Sequence, residues 1–266
     1  MIKYGFIGAG NMATAFVYSL IKQVSSAQIG ISSKPPEDAE RLTKETGTIE
    51  CTNLEIAKNT KYLVLAVKPQ HYDEVLKEIK DEVNKNNPII VTMAAGKTIA
   101  SIHKALDNDK ISVIRIMPNT PVKIGKGTIL IASKNVTNQQ LEEYKTDHKN
   151  AGRFIELDED LIDAGSVISG CGPAFVFQFM EAEIKAGMSL GLDKETATIL
   201  ALETAKGTAT LAIEEDKNLE DLRESVCSKG GSTIEGVESF KQADLDGIVK
   251  EALTKSFEKT LQLGKE

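Results

Sequence analysis

Gly8-Ala9-Gly10-Asn11-Met12-Ala13 follows the apolar run Tyr4-Gly5-Phe6-Ile7 directly and opens an amphipathic stretch; no other feature of the 266 residues narrows the fold as far. The spacing is G-x-G-x-x-A at the junction of a strand and a helix. Gly8 allows the tight turn, Gly10 lets backbone approach a pyrophosphate, and Ala13 lets helix and strand pack closely. The helix N-terminus then faces the anion with free N–H groups. A glycine-rich turn without a ligand is the bland alternative, and the placement after a first strand argues for a bound dinucleotide.

The chain behind this motif alternates in the same way. Apolar runs at Lys3–Gly8, Ala27–Ser32, Thr48–Cys51, Tyr62–Lys68, Ile89–Ala94, Val113–Met117 and Thr128–Ala132 read as strands. Between them Met12–Gln23, Pro36–Thr46, Leu54–Asn59, Tyr72–Asn84 and Thr98–Leu106 read as helices, with Asn138–Asn150 one more before a last short strand near Phe154. That alternation predicts an α/β domain, a parallel sheet wrapped by helices, over residues 1–157. After Asp158 strand-length runs of Val, Ile and Thr stop. Phe175–Gly191, Lys194–Ala212 and Leu245–Leu263 carry helical periods, so residues 158–266 read as an all-helical second domain. Phe175–Gly191 is apolar along most of its length, and a domain of about 100 residues is too small to surround it alone. Association with a second copy is expected, with a tight monomeric bundle as the alternative.

Composition removes several classes. Lys plus Arg number 32 against 39 Asp plus Glu, a net charge of −7 with a pI near 5.3, which argues against an electrostatic nucleic-acid binder. Cys51, Cys171 and Cys227 are widely spaced and lack His partners at metal-ligand spacing, so neither a disulfide framework nor a metal site is expected. Gly8, Gly10 and Asn11 interrupt the N-terminal apolar stretch before a signal-peptide core forms, and no run approaches the roughly 18 apolar residues of a membrane span. A cytoplasmic location with no membrane partner is expected. His71, His103 and His148 lie in or beside polar helical stretches and read as surface residues.

The end of the second strand reports on the dinucleotide. An Asp or Glu there would hold the 2′-hydroxyl of NAD; this chain has Ser32-Ser33-Lys34, two hydroxyls and an ammonium suited to a 2′-phosphate. NADP(H) is therefore preferred, with NAD(H) the alternative if Glu37 or Asp38 takes the displaced acidic role. Ala66-Val67-Lys68-Pro69 and Met93-Ala94-Ala95-Gly96 end strands at the same carboxyl edge, where open α/β sheets bind ligands. Asn119, in Met117-Pro118-Asn119-Thr120-Pro121, offers an amide to the nicotinamide or to a substrate.

Two glycine-rich clusters mark the helical half. Ser169-Gly170-Cys171-Gly172-Pro173-Ala174-Phe175 turns into the most hydrophobic helix, which close packing alone would also explain. Ser228-Lys229-Gly230-Gly231-Ser232-Thr233 precedes the helical pattern Ile234–Gln242. Consecutive Gly, Ser and Thr at a helix start gather backbone N–H groups and hydroxyls around one point, which suits a carboxylate. A plain capping turn is the alternative.

In order along the chain, GFIGAGNMA, LAVKPQ, MAAGKTI, IRIMPNTP, SGCGPAF, Gly191-Leu192 and VCSKGGSTIEGVE resemble pyrroline-5-carboxylate reductase, the NAD(P)H enzyme that makes L-proline. The resemblance spans nearly the whole chain. It implies a Rossmann domain followed by an all-helical dimerisation domain, a homodimer that in some members builds larger rings, and L-1-pyrroline-5-carboxylate as substrate. Carried over by position, it places NADP(H) on Ile7, Gly8, Ala9, Gly10, Asn11, Met12, Ser33, Asn53, Ala66, Val67, Lys68, Pro69, Met93, Ala94 and Ala95, with Lys34 beside them. Ser228 and the backbone of Gly230, Gly231, Ser232 and Thr233 would hold the carboxylate, with the substrate between this loop and the nicotinamide and the Thr233 hydroxyl, as catalytic group, near the ring nitrogen. Lys229, Cys171, Phe175 and Lys126 depart from the family's usual proline, serine, tyrosine and acidic residue; none removes a proposed ligand.

Hydride transfer to a protonated cyclic imine needs little covalent chemistry from the protein, so positioning and charge placement dominate. A β-hydroxyacid dehydrogenase of similar build would carry a Lys within G-x-G-x-x-x-K in its helical domain, and Gly170-Cys171-Gly172 is followed instead by Pro173-Ala174-Phe175-Val176. A reductase of another cyclic imine and a non-catalytic dinucleotide sensor are the remaining alternatives.

Overall fold

The computed structural model describes residues 2–263. Its strands are β1 (Ile2–Ile7), β2 (Ile29–Ser32), β3 (Ile49–Glu50), β4 (Thr60–Leu65), β5 (Ile89–Thr92), β6 (Val113–Met117), β7 (Gly127–Lys134) and β8 (Gly152–Glu156), in one sheet of order β3-β2-β1-β4-β5-β6-β7-β8. From β3 to β6 every neighbouring pair is parallel. The chain leaves β1 toward β2 and β3, then returns to β4 on the other side of β1. That reversal opens a crevice at the carboxyl ends of β1 and β4, where doubly wound sheets bind nucleotides.

Helices α1 (Asn11–Leu20), α2 (Pro36–Thr46), α3 (Asn53–Asn59), α4 (Tyr72–Asn86), α5 (Ile99–Leu106) and α6 (Asn138–Asp147) cover both faces of the sheet. Strand side chains alternate between the two cores. Tyr62 and Val64 of β4 join Phe16, Leu20 and Tyr144 from α1 and α6, while Leu63 and Leu65 join Leu76, Ile79 and Ile102 from α4 and α5. Burial on both faces is why these strands read as continuous apolar runs. Capping boxes at Thr52/Glu55 and Thr137/Gln140 start α3 and α6.

The sheet is not wholly parallel, as the alternation predicts. β7 runs antiparallel to β6, because Pro118–Lys126 holds only a 3-10 turn at Thr120–Ile124 and is too short for the crossover that a parallel pair needs. β8, reached through α6, is again parallel to β7.

A short helix not read from the sequence, α7 (Ile162–Ser169), follows β8, and Ile162 buries against Met117 and Leu130. The first compact unit accordingly runs to Cys171, past the change of texture at 157/158, and includes the end of the last helix from Ser256. The second unit, Gly172–Lys255, is helical: α8 (Gly172–Ser189), α9 (Lys194–Glu214), α10 (Leu219–Ser225), α11 (Ser232–Gln242) and most of α12 (Leu245–Leu263). α10 is a second short helix that periodicity misses, since a polar seven-residue segment has too few turns to show a stripe.

Two of the three histidines correct the surface reading. His71 is exposed, but His103 and His148 are buried. The ring of His148 lies 5.0 Å from that of Tyr4 and 5.6 Å from that of Phe16, and His103 Nε2 is 2.9 Å from the Ile111 carbonyl oxygen. Polar sequence neighbours on a helix occupy other faces and say nothing about the face of the residue between them.

Candidate active site

The turn after β1 is fixed from both sides. Gly8 N–H donates to the Ser32 carbonyl at 2.7 Å, and Ala66 N–H donates to the Ile7 carbonyl at 2.8 Å. Gly8 has φ +112°, and a Cβ there would lie 2.5 Å from the Ala66 carbonyl oxygen. Only glycine fits both the conformation and the space. Gly10, the N-cap of α1, is exposed, and a Cβ on it would meet nothing within 4 Å. No side chain caps α1 and no acidic residue stands in its first turn, so its N–H groups are free for an anion.

These amides open onto a cleft of about 840 Å³ at the carboxyl ends of β1, β2 and β4. Of the expected cofactor residues, Ile7, Gly8, Ala9, Gly10, Ser33, Lys34, Asn53, Ala66, Val67 and Lys68 line it. Volume, glycine turn and uncapped helix fit a dinucleotide with its pyrophosphate at the start of α1. Asn11 and Met12 form the first turn of α1, and Pro69 opens a 3-10 turn at Pro69–His71. Met93, Ala94 and Ala95 follow β5 at the same edge of the sheet and do not line the cleft.

Asn119 is engaged elsewhere in the structure. It is buried, its Nδ2 donates to the Ser169 carbonyl at 2.9 Å, and its Oδ1 accepts from Thr128 N–H at 2.9 Å. Its carboxamide thus ties the loop after β6 to β7 and to the end of α7.

The Ser32 hydroxyl, read with Ser33 and Lys34 as suited to a 2′-phosphate, is buried and donates to Asn53 Oδ1 at 2.7 Å, which leaves Ser33 and Lys34 for that role. Sequence reasoning missed Glu74 and Glu78 of α4 and Cys51, which also face the cleft. The i, i+4 spacing of Glu74 and Glu78 marks a shared polar helix face, but only the fold shows what that face meets. Burial pushes the Cys51 thiol up, away from the thiolate form that reacts.

The second unit holds the other cluster. Gly230 has φ +72°, and Gly231 N–H donates to the Ser228 carbonyl at 2.9 Å, closing a turn whose next step is α11. A Cβ on Gly231 would collide with the Ser228 hydroxyl. α11 starts at Ser232, two residues before the helical pattern read from the sequence, so Ser232 and Thr233 occupy its first turn. α9 and α10 are capped by Asp193 and Asn218, whose side chains accept from Thr196 and Asp221 N–H at 2.9 and 2.8 Å. α11 has Gly231 at the cap and no side-chain acceptor. Its first-turn amides therefore stand free beside the exposed hydroxyls of Ser228, Ser232 and Thr233. That arrangement can take a carboxylate.

The faces of the second unit are unusually apolar. Phe177, Ile199, Leu202 and Ile213 are exposed, and in α8 and α9 only Ala197 and Ala201 are buried. Such surface on helices marks an association face.

Residues 159–263 match the family model for pyrroline-5-carboxylate reductase dimerisation, and residues 3–96 match the model described as NADP oxidoreductase, coenzyme F420-dependent. The chain is 34% identical to the pyrroline-5-carboxylate reductase of Synechocystis sp. over 99% of both chains. A solved pyrroline-5-carboxylate reductase from Coxiella burnetii superposes with a TM-score of 0.91 at 29% identity, covering 98% of each chain. Pyrroline carboxylate reductase of Plasmodium falciparum, solved with NADP bound, superposes with a TM-score of 0.86 at 27% identity over 99% of this chain and 98% of that one.

Proposed function

The chain belongs to the pyrroline-5-carboxylate reductase family of NAD(P)-dependent oxidoreductases, and from that premise we propose that it reduces L-1-pyrroline-5-carboxylate to L-proline in the cytoplasm, with NADPH as the favoured reductant. Two features support the reading together: a glycine turn and uncapped helix built for a pyrophosphate, and a second glycine turn and uncapped helix built for a carboxylate. The end of β2 favours NADPH through Ser33 and Lys34, which line the cleft where a 2′-phosphate would sit.

The reduced nicotinamide supplies the hydride. The protein's part is placement. Backbone N–H groups of Ser232 and Thr233 hold the carboxylate with the Ser228 hydroxyl, using the positive end of α11, while the Gly231 N–H is spent on the Ser228 carbonyl and Gly230 and Gly231 shape the turn. The Thr233 hydroxyl holds the proton of the iminium nitrogen, keeping the C=N bond electrophilic. Met93, Ala94, Ala95 and Pro69, at the carboxyl edge of the sheet, are the residues that would hold the nicotinamide half of the cofactor.

The dimerisation model over residues 159–263 supports oligomer formation. We assign the contact to α8 and α9 of two copies, in a homodimer that is the building block of any larger ring. The functional division follows as residues 1–157 for the dinucleotide and 158–266 for dimerisation and substrate.

The test is oxidation of NADPH and NADH by purified protein with pyrroline-5-carboxylate, beside a six-membered cyclic imine acid. Faster turnover of the five-membered ring supports the assignment. Cofactor binding without turnover of either ring overturns it.

A further inference from the structure

The sequence places no carboxylate at the end of β2, but the fold brings one there from α4. The Lys34 ammonium stands 3.4 Å from Glu74 Oε1, across 40 positions of sequence. One turn further along α4, Glu78 Oε2 accepts from Asn53 Nδ2 at 2.8 Å. All four residues line the same cleft, whose wall carries the carboxylates of Asp38, Glu50, Glu74 and Glu78 against the ammonium groups of Lys34 and Lys68.

This balance bears on which dinucleotide the cleft accepts. A phosphate monoester brings up to about two negative charges, and the Lys34 ammonium at the end of β2 already faces Glu74. A 2′-phosphate drawing Lys34 to itself must separate that pair and leave Glu74 as a like charge close by. A 2′-hydroxyl has no charge to be repelled, and a carboxylate can accept its hydrogen bond.

We propose that Glu74 is a specificity-determining residue: it competes with the 2′-phosphate of NADPH for the Lys34 ammonium and holds the preference for NADPH over NADH below the level that Ser33 and Lys34 alone would give. The inference rests on the reading that the 2′-phosphate binds at Ser33 and Lys34. Lys34 and Glu74 side chains are 91% and 69% exposed, so water and salt screen the pair and its effect is severalfold.

The readout is the ratio of the NADH and NADPH dissociation constants, from fluorescence titration of the full chain, for wild type, E74Q, K34A and the double variant. E74Q should raise the preference for NADPH about two- to fivefold, the range of an exposed pair. K34A should lower it, and E74Q should do nothing further in the K34A background, because a competitor without its target has no effect. If K34A lowers the preference while E74Q leaves it unchanged or lowers it, the role of Glu74 is overturned and the 2′-phosphate reading stands. An equal gain from E74Q with and without Lys34 would mean simple repulsion and overturn the competition. No change in K34A would sink the reading at Lys34 itself, and the proposal with it.

Discussion

The Cβ that Gly8 lacks would lie 2.5 Å from the carbonyl oxygen of Ala66, whereas the one Gly10 lacks would meet nothing within 4 Å. The two glycines of one motif therefore do different work. Gly8→Ala should destabilise the protein by about 1–3 kcal/mol, through overpacking and the strain of φ +112°. Gly10→Ala should leave stability within about 0.5 kcal/mol, yet weaken NADPH binding at least about tenfold by holding backbone off the pyrophosphate. Urea unfolding paired with cofactor titration separates the two; equal loss of stability in both variants would refute the distinction.

Arg115, on β6, is 1% exposed and pairs with Asp163 at 2.5 Å and with Glu159 at 3.5 Å. Glu159 Oε1 also accepts from Ile99 N–H at 2.6 Å, so this carboxylate links the start of α5 to the segment leading into α7. Asp163→Ala leaves a buried guanidinium with only the longer contact and should cost about 3 kcal/mol in urea unfolding. A loss below about 1 kcal/mol would show that water reaches the cation.

Acid should destabilise the first unit through two groups. Burial among aromatic rings holds the His148 imidazole down to about 4; its Nδ1 donates to the Tyr144 carbonyl and its Nε2 has no hydrogen-bond partner among the described residues. The folded pKa lies below the unfolded value near 6.5, so the unfolded chain binds the extra proton and stability falls as pH drops from about 6.5 to 4. Burial pushes Glu143 up, but hydrogen bonds from Lys3 and Lys61 outweigh it and bring the carboxyl down to about 2. Its stabilisation is present above about 4.5 and fades as pH falls toward 2. His148→Gln should flatten the upper part of this profile alone, read from urea midpoints between pH 4 and 7; an unchanged slope would exclude His148 as its source.

Thr233 stands at the second position of α11 with an exposed hydroxyl. Thr233→Ala should lower kcat/KM about tenfold, or about 1.4 kcal/mol of transition-state stabilisation, with dimer and NADPH binding retained. A loss within about threefold, roughly 0.65 kcal/mol, would leave it no role at the ring nitrogen.

The exposed apolar side chains of α8 and α9 should form the contact between copies. Phe177→Glu with Ile199→Glu should shift the sedimentation profile to monomer, since two carboxylates would be buried unpaired in the interface. A dimer that persists would place the contact elsewhere on the helices.

The order of strands and helices was legible because both periods are local: Pro36–Thr46 and Val113–Met117 match the sequence reading at both ends. So was the glycine chemistry, since a positive φ at Gly8 or Gly230 is a demand on one residue. The antiparallel turn into β7 was readable in principle, from the length of Pro118–Lys126 and not from its pattern. What one residue faces across the fold was not readable. Polar neighbours suggested a surface His148, but the turn that ends α6 sets that side chain against Tyr4 and Phe16. Asn119 has the chemistry of a ligand, and its amide is taken by Thr128 and Ser169. Glu74 reads as one more charge on an amphipathic helix until α4 brings it beside Lys34. Motif, period and backbone conformation are properties of neighbouring residues, and the sequence determined them; which charge meets which ammonium depends on pairings tens of residues apart, and only the tertiary structure decided those.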